Sequence, residues 1–269
     1  MNQVGIVRVA RSDWGHTDGL RRALGRRAIT LKYTDAVPEN LAAVIICGDR
    51  WEMARAAINA VHARVPIVHL HGGEHTPNVI DQKYRHAISQ MASVHCVAHA
   101  VHQARLITMG IDPAVIHVTG APGLDRYAGI PSSKKASPIL VLLHPTTYRP
   151  QDAEREWEAA MYEVGENQAI FFTPGNDPGA VILEGRMRRY AHSHKNVRVI
   201  KWVSDRRWCE LVKHAPVVIG NSSALVIDCP FLGVPTIEIG RRQEGRDRVS
   251  YGDGHSIPRI VEVLHASTL

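Results

Sequence analysis

Short runs of β-branched and other apolar residues recur along the chain, separated by stretches long enough for one helix each. Such runs are typical of strands that are buried on both faces of a parallel sheet. In the first half, the runs predict strands over Val4–Ala10, Ala28–Tyr33, Ala43–Cys47, Pro66–Leu70, Val94–Ala98 and Val115–Thr119. The intervening stretches predict helices over Thr17–Arg26, Trp51–Arg64, Gln82–Ala92 and Val101–Met109.

The alternation stops at Tyr127–Pro138, where Gly, Pro, Ser and Lys residues predict an exposed connection. It then restarts. Strands are predicted over Ile139–Leu143, Ala169–Phe172, Val197–Ile200, Val217–Ile219 and Thr236–Ile239, and helices over Gln151–Val164, Asp177–His194, Ser204–His214 and Ile257–Ala266. The pattern therefore predicts an α/β protein with two Rossmann-like domains, 1–130 and 131–269, whose parallel sheets face a central cleft.

Composition narrows the possible classes of protein. The 269 residues are 45% hydrophobic and 22% charged, which excludes a disordered chain. No run approaches the roughly 20 apolar residues of a membrane span, and an arginine interrupts the N-terminus before a signal-peptide core, so we expect a cytoplasmic protein. The four cysteines form no CxxC pair and are expected to be buried thiols. The sixteen histidines show no HExxH spacing, so no metal site is predicted.

The formal net charge of +6 favours anionic partners. The lysines and arginines are scattered, however, and no basic stretch is rich in aromatic residues. These features favour phosphate-bearing metabolites over nucleic acid as the partner.

The first candidate site follows the fourth predicted strand. Gly72 and Gly73 allow the backbone to approach a ligand closely, and Glu74 then lies at the carboxyl edge of the sheet. Asp81 and Arg85 are one helical turn apart and share a face of the next predicted helix. The alternative is purely structural, with Asp81 as a helix cap that forms a surface ion pair with Arg85.

A further acidic residue, Asp49, follows Gly48 at the end of the third predicted strand. It either caps the next helix or joins Glu74 and Asp81 at one edge of the sheet. Clustered carboxylates raise one another's pKa, and a carboxyl group with a raised pKa can act as a general acid or base near neutral pH. The spacing therefore makes these three acids candidates for proton transfer.

In the second half, the run GNSSA at 220–224 follows a strand and is predicted to open a helix. The backbone N–H groups there, with the hydroxyls of Ser222 and Ser223, would form an anion site for phosphate, although a plain serine cap has the same pattern. Asp228 would reach a ribose hydroxyl from the same helix. The arginine-rich loop 240–246 is either a phosphate contact or a solvated surface.

Two weaker signals complete the candidates. His144 ends a predicted strand, so its side chain either projects into the cleft or is structural. Residues 11–15 form a predicted strand-to-helix turn that contains one glycine rather than a GxGxxG motif, so the sequence does not favour NAD binding.

In this order, the motifs resemble the hydrolysing UDP-N-acetylglucosamine 2-epimerases, in particular their NeuC-like branch. The resemblance spans nearly the whole chain. Its matching runs include CGDRWE at 47–52, HGGEHTPNVIDQKYRHAISQMA at 71–92, VTGAPGLD at 118–125, HPTT at 144–147, GNSSALVID at 220–228 and GVPTIEIGRRQEGR at 233–246.

The resemblance implies the two-domain fold of a large class of nucleotide-sugar glycosyltransferases, with UDP-GlcNAc bound between the domains. It further implies elimination of UDP to a glycal-like intermediate and hydration with inversion at C2, without a cofactor or metal, giving N-acetylmannosamine for sialic-acid-like glycans. The predicted catalytic residues are Asp49, Glu74, Asp81 and His144. The predicted substrate-binding residues are Arg11, His71, Arg85, Ser222, Ser223, Asp228 and Arg246.

The sequence also departs from the family pattern. Only about 38 positions separate Arg11 from Asp49, which implies that a strand–helix unit is missing, and little chain follows Arg246 to pack on the first domain. Two alternative functions therefore stay open: a glycosyltransferase of the same architecture, and a nucleotide-sugar binding protein without catalysis. An exposed sheet edge would also favour a homodimer.

Overall fold

The computed structural model describes residues 3–132, 137–146, 148–175 and 177–267, without the side chain of Arg11. Within these ranges the chain forms two parallel sheets, and each strand overlaps a predicted apolar run. The first sheet has the order β2-β1-β3-β4-β5-β6, with β1 (Val4–Val7), β2 (Ala28–Leu31), β3 (Ala43–Cys47), β4 (Ile67–Leu70), β5 (Val94–Val97) and β6 (Ile116–Val118). The second has the order β11-β10-β7-β8-β9, with β7 (Ile139–Leu142), β8 (Ala169–Phe172), β9 (Val197–Ile200), β10 (Val218–Gly220) and β11 (Thr236–Glu238).

The helices connect the strands, as the alternation predicts. They are α1 (Arg11–Leu24), α2 (Trp51–His62), α3 (Asp81–Met91), α4 (Ala100–Thr108), α5 (Ala153–Val164), α6 (Ala180–Ser193), α7 (Asp205–His214), α8 (Asp228–Leu232) and α9 (Ser256–Ala266). The α/β class with two parallel sheets is therefore confirmed.

The chain divides into two compact units. The first comprises Met1–His75, Asp81–Ala128 and Val249–Leu269, and the second comprises Thr76–Ile80 and Gly129–Arg248. The change of unit after Ala128 is close to the predicted boundary at 130. Two segments differ from the predicted division, because Thr76–Ile80 groups with the second unit and Val249–Leu269 with the first. The predicted connection Tyr127–Pro138 lies partly outside the described residues.

The first unit buries apolar residues on both faces of its sheet. On one face, Leu20 and Leu24 of α1 and Ile260 and Leu264 of α9 pack on the strands. On the other face the strands meet α2 and α3, for example through Met53, Ala57 and Ile88. In the second unit, the strands pack against α5 and α6. Burial on both faces explains why the strands are continuous apolar runs.

The expectation that little chain packs back on the first domain was wrong. Helix α9 belongs to the first unit and contacts α1. Its N-terminus is held by Asp125, whose two carboxylate oxygens accept the N–H groups of Ser256 and Ile257 at 2.9 and 2.7 Å. An acidic side chain at this position satisfies donors that have no partner within the helix.

Helix α1 begins at Arg11, six residues before the predicted start. Residues 11–15, predicted as a strand-to-helix turn, form the first part of this helix, although glycines such as Gly15 and Gly19 weaken helix interiors. Asp13 compensates, since one of its carboxylate oxygens accepts the N–H groups of Val9 and Ala10, both at 2.8 Å.

Candidate active site

The neighbouring strands β3 and β4 bring two candidate segments to one edge of the first sheet. Their register pairs Cys47 with Leu70, so Gly48–Asp49 and His71–Glu74 leave the sheet side by side. His69 links this edge to α3 through hydrogen bonds of both ring nitrogens. Its Nε2 lies 2.9 Å from the carbonyl oxygen of Gly48, and its Nδ1 lies 3.1 Å from Oγ of Ser89. Burial lowers the pKa of His69 to about 3, so this ring is neutral at physiological pH.

Arg85 of α3 is buried and connects the two segments. Its guanidinium forms an ion pair with Asp49 and donates to the carbonyl oxygen of Glu74 at 3.1 Å. Because Arg85 is buried, its ion pair with Asp49 is not a contact of the exposed surface. The first residue before α2 is Arg50, with no side-chain cap, so Asp49 does not act as that helix's cap. Sequence spacing alone did not indicate a pair that joins residues 36 positions apart.

His71 and Glu74 form a second pair at this edge. Nδ1 of His71 lies 2.6 Å from Oε1 of Glu74, and both side chains are buried. The backbone of His71 has φ of +65°, a left-handed conformation that non-glycine residues rarely adopt. Asp49, His71, Glu74 and Arg85 are thus brought together.

Asp13 was missed as a member of this edge. Nη2 of Arg50 donates to both its carboxylate oxygens, at 2.8 and 2.6 Å. Because Arg50 follows Asp49 directly, this pair fixes the start of α2 beside the candidate acid. The signal in the sequence was the acidic residue in the first turn of α1.

The remaining candidate acid of the first unit, Asp81, is the first residue of α3 and is half-buried. It lies one turn before Arg85 on the same helix. The short segment before it, Thr76–Ile80, belongs to the second unit, where Asn78 donates to the carbonyl oxygens of Arg241 and Glu244, both at 2.9 Å. The predicted substrate contact of Arg11 depends on a side chain outside the described residues.

In the second unit, Asn221 fixes the backbone of His144. The side chain of Asn221 accepts the N–H of His144 at 2.7 Å and donates to its carbonyl oxygen at 2.9 Å. The ring of His144 is half-buried, with Nδ1 3.8 Å from a carboxylate oxygen of Asp177. Asn221 was named only as part of a motif, and its pairing across 77 positions was not foreseen.

The predicted helix at the GNSS run was wrong. A three-residue 3-10 helix, Ser223–Leu225, follows instead, and the five-residue helix α8 begins separately at Asp228. Ser222 caps the 3-10 helix by accepting the N–H of Ala224 at 3.3 Å. Asp228 is buried and does not share a helix with Ser222. The helix start predicted as an anion site is therefore the start of a three-residue 3-10 helix.

The arginine-rich loop folds onto Asn221 rather than extending into solvent as a whole. Gln243 and Arg242 donate to the carbonyl oxygen of Asn221 at 2.8 and 3.3 Å. Arg246 is buried and donates to the side chain of Gln243 at 3.2 Å. At the start of the loop, Gly240 lies so close to Glu156 that a Cβ would overlap that carboxylate.

Glu156 of α5 is a buried acid outside the predicted set. It accepts a hydrogen bond from the hydroxyl of Thr146 at 3.0 Å, and burial raises its pKa. Among the residues that the structure describes, no three His, Cys, Asp or Glu side chains are grouped to hold a metal ion. No helix in the same ranges is long and apolar enough to cross a membrane.

The chain has the two units of the GT-B-like fold class, each built around one parallel sheet. A solved UDP-GlcNAc 2-epimerase from Methanocaldococcus jannaschii, in complex with UDP-GlcNAc and UDP, shares this fold with a TM-score of 0.78 and 14% identity, covering 98% of this chain and all of the other. The sequence model of the UDP-N-acetylglucosamine 2-epimerase family matches residues 28–250, and the chain belongs to this family, as its motifs predict.

Two curated relatives extend the comparison. A UDP-N,N'-diacetylbacillosamine 2-epimerase (hydrolyzing) of Legionella pneumophila is 30% identical over 263 residues, which cover 91% of this chain and 67% of the relative. A GDP/UDP-N,N'-diacetylbacillosamine 2-epimerase (hydrolyzing) of Campylobacter jejuni is 29% identical, with 76% of this chain and 58% of the relative covered. The chain thus spans about three fifths to two thirds of these relatives' lengths.

Proposed function

We propose that the protein is a hydrolysing 2-epimerase of UDP-linked 2-acetamido sugars. It releases UDP and a free sugar of the N-acetylmannosamine type, in which the configuration at C2 is inverted. Family membership and the hydrolysing relatives support this proposal. The observation that carries it is the convergence of Asp49, Glu74 and Arg85 at the carboxyl edge of β3 and β4.

The reaction needs groups that exchange protons with carbon and with water. In the first step a base removes the C2 proton, the C–H electron pair forms a C1=C2 double bond, and UDP leaves with the electrons of the C1–O bond. Water then adds at C1, and C2 receives a proton on the opposite face. Asp49, Glu74 and Asp81 supply the acid–base groups, and Arg85 holds Asp49 in place.

The second unit contacts the nucleotide. Ser222, Ser223 and Asp228 are the proposed contacts to phosphate and ribose, and Arg246 neutralises the charge that grows on the departing UDP. His144, whose backbone Asn221 holds in place, is the proposed catalytic residue of this unit. Arg11 stays a proposed contact to the diphosphate.

The test uses the purified full chain with UDP-GlcNAc and, separately, with UDP-N,N'-diacetylbacillosamine. We expect release of UDP together with a free sugar whose C2 configuration is inverted. Proton NMR monitors both products. Release of UDP only when a sugar acceptor is present would instead assign a glycosyltransferase. Binding of UDP in calorimetry without turnover of either sugar would assign a nucleotide-sugar binding protein, and both outcomes contradict the proposal.

Asp49→Asn is the matching variant, because asparagine keeps the shape of the side chain and removes the charge. We expect turnover to fall by about 10²- to 10⁴-fold while the affinity for UDP stays unchanged. The control is Glu39→Gln, an exposed acid of the same unit, which should leave turnover unaltered. Retention of most of the activity by Asp49→Asn would remove this residue from the mechanism.

A further inference from the structure

His71 has a backbone conformation that favours glycine. Its φ is +65°, and one other non-glycine residue in the described ranges, Arg64, has a positive φ, of +58°. This conformation costs an L-residue about 1–2 kcal/mol, because Cβ approaches the following carbonyl oxygen. Such strain persists where the surroundings hold a side chain in a functional position. Here it aims an imidazole at the carboxyl edge of the first sheet.

Glu74 fixes the protonation pattern of that imidazole. The buried carboxylate lies 2.6 Å from Nδ1 of His71 and can only accept a hydrogen bond when it is charged. In the neutral ring, Nδ1 therefore carries the proton, and the lone pair is on Nε2. A carboxylate behind an imidazole is the arrangement that orients histidine bases and stabilises the imidazolium they form.

The Nε2 atom of His71 has no hydrogen-bond partner among the described residues, although it is enclosed. Leaving a buried polar atom unmatched costs about 1–3 kcal/mol. His69, two positions earlier at the same sheet edge, provides the structural comparison, because both of its nitrogens are hydrogen bonded. His71 is thus held by one nitrogen only, as a proton-transfer group would be.

We propose that Nε2 of His71 accepts the C2 proton of the sugar, and that Glu74 is a positioning residue that acts through it. This inference rests on the proposed function and refines the role of Glu74 within it. As the proton moves to Nε2, the C–H electron pair forms the C1=C2 bond and UDP leaves with the C1–O pair. The imidazolium then returns its proton to solvent.

The second half of the reaction, hydration of the C1=C2 bond, uses water and a second acid. Water gives its hydroxyl to C1, and a carboxylic acid of the site gives a proton to C2 on the opposite face. That acid is restored by the proton that water loses. Asp49 and Asp81 are the available carboxyl groups at this edge, which leaves His71 and Glu74 for the first half of the reaction.

The ring is covered in part by helix α1. His16 packs edge-on against it, with ring centroids 5.8 Å apart, and 9% of the His71 side chain is exposed. For a sugar to reach Nε2, this cover must move aside. The enclosure keeps bulk water from the base between turnovers, which favours proton transfer to and from carbon.

The test begins with His71→Gly, because glycine adopts positive φ readily and this variant should fold. We expect turnover at pH 8 to fall by about 10²- to 10⁴-fold. Added imidazole, which is mostly neutral at this pH, should raise the turnover of His71→Gly at least tenfold. Retention of more than a third of wild-type turnover, or no increase with imidazole, would overturn the proposal.

Glu74→Gln separates action through His71 from direct action. If Glu74 acts through the His71 ring, the double variant His71→Gly/Glu74→Gln should turn over within about threefold of the slower single variant. The reason is that both substitutions disable the same His71–Glu74 pair. Imidazole should not rescue Glu74→Gln. Losses that multiply in the double variant would show that Glu74 acts independently of His71, which would also overturn the proposal.

A readout without substrate keeps this inference distinct from the proposed function. Nitrogen-15 NMR of the resting protein at pH 8 should show His71 with a proton on Nδ1 and a bare Nε2. The Nε2–H form would overturn the inference even in an active enzyme. Absence of turnover in the wild-type protein with both UDP-sugars would contradict the proposed function, whatever the tautomer.

Discussion

The two units hold their candidate functional segments with different chemistry. At the edge of the first sheet, buried or half-buried ionisable side chains pair with one another: Arg50 with Asp13, Arg85 with Asp49, and His71 with Glu74. In the second unit, neutral amides hold backbone groups, as Asn221 does for His144 and Gln243 for Asn221. Charged pairs suit a site that moves protons, whereas an amide-held loop suits recognition of a nucleotide. Substitutions in the two units should therefore differ in the size of their effects.

Arg85→Met should break the charged edge most severely. It leaves Asp49 and the carbonyl of Glu74 without their shared donor, and removal of one partner of a buried ion pair costs about 3–5 kcal/mol. Asp49 is partly exposed, so we expect a loss near 3 kcal/mol, measured by urea denaturation. Lys83→Met, at an exposed position of the same helix, is the control. Equal stability of the two variants would contradict the structural role of Arg85.

Gly73→Ala should also damage the first unit. Gly73 has φ of +74°, and a Cβ there would overlap the carbonyl oxygen of His102. We expect a destabilisation of about 2–3 kcal/mol. Gly110→Ala is the matched control, because Gly110 has φ of +88° but no atom lies within 4 Å of an added Cβ. This control should lower the free energy of unfolding by about 1 kcal/mol. A smaller effect at Gly73 than at Gly110 would show that the close approach is unimportant.

Acid should weaken the first unit through its buried histidines. Burial lowers the pKa of His69 to about 3 and of His95 to about 4. The unfolded chain binds protons near pH 6.5 and the folded chain does not, so stability falls as the pH drops below 6.5. Each histidine should contribute a loss of about 2 kcal/mol between pH 7 and pH 5.

His95→Leu tests this source of pH dependence. The variant should remove about 2 kcal/mol of the change between pH 7 and pH 5, whereas the exposed His62→Asn should retain all of it. Urea denaturation at several pH values measures both. An unchanged pH dependence in His95→Leu would assign the effect to other groups.

Asn221→Ala should have the smallest effect on stability. It removes two hydrogen bonds to a half-buried backbone, so we expect a loss of about 1 kcal/mol. We also expect a measurable fall in the affinity for UDP, followed by calorimetry, because the segment that carries His144 loses the side chain that holds its backbone. Asn59→Ala, which removes a single side-chain bond in the first unit, should leave UDP affinity unchanged.

The sheets could be predicted because strands buried on both faces are apolar along their whole length. β3, β8 and β9 match their predicted ranges, and the other runs extend into the turns that follow or precede the strands. The bounds of α8 could not be predicted, since its five residues, which include Pro230, carry no helical period that separates them from the GNSSA run. The start of α1 depended on Asp13, whose effect is visible only once the preceding strand is placed.

The site was predictable in its residue types but not in its pairs. Glycines and acids at strand ends indicated the edge at Asp49 and Glu74. The ion pair between Arg85 and Asp49, and the clamp of Asn221 on His144, join residues 36 and 77 positions apart. Local spacing does not encode such contacts, because they depend on which strands become neighbours in the sheet.

The most direct test of proton chemistry at the charged edge is turnover in D₂O, followed by NMR of the released sugar. Our account predicts one deuterium at C2 for each UDP released by the wild-type protein, and neither product from Asp49→Asn. A released sugar that keeps its original hydrogen at C2 would show simple hydrolysis at C1 and would contradict the role assigned to this edge.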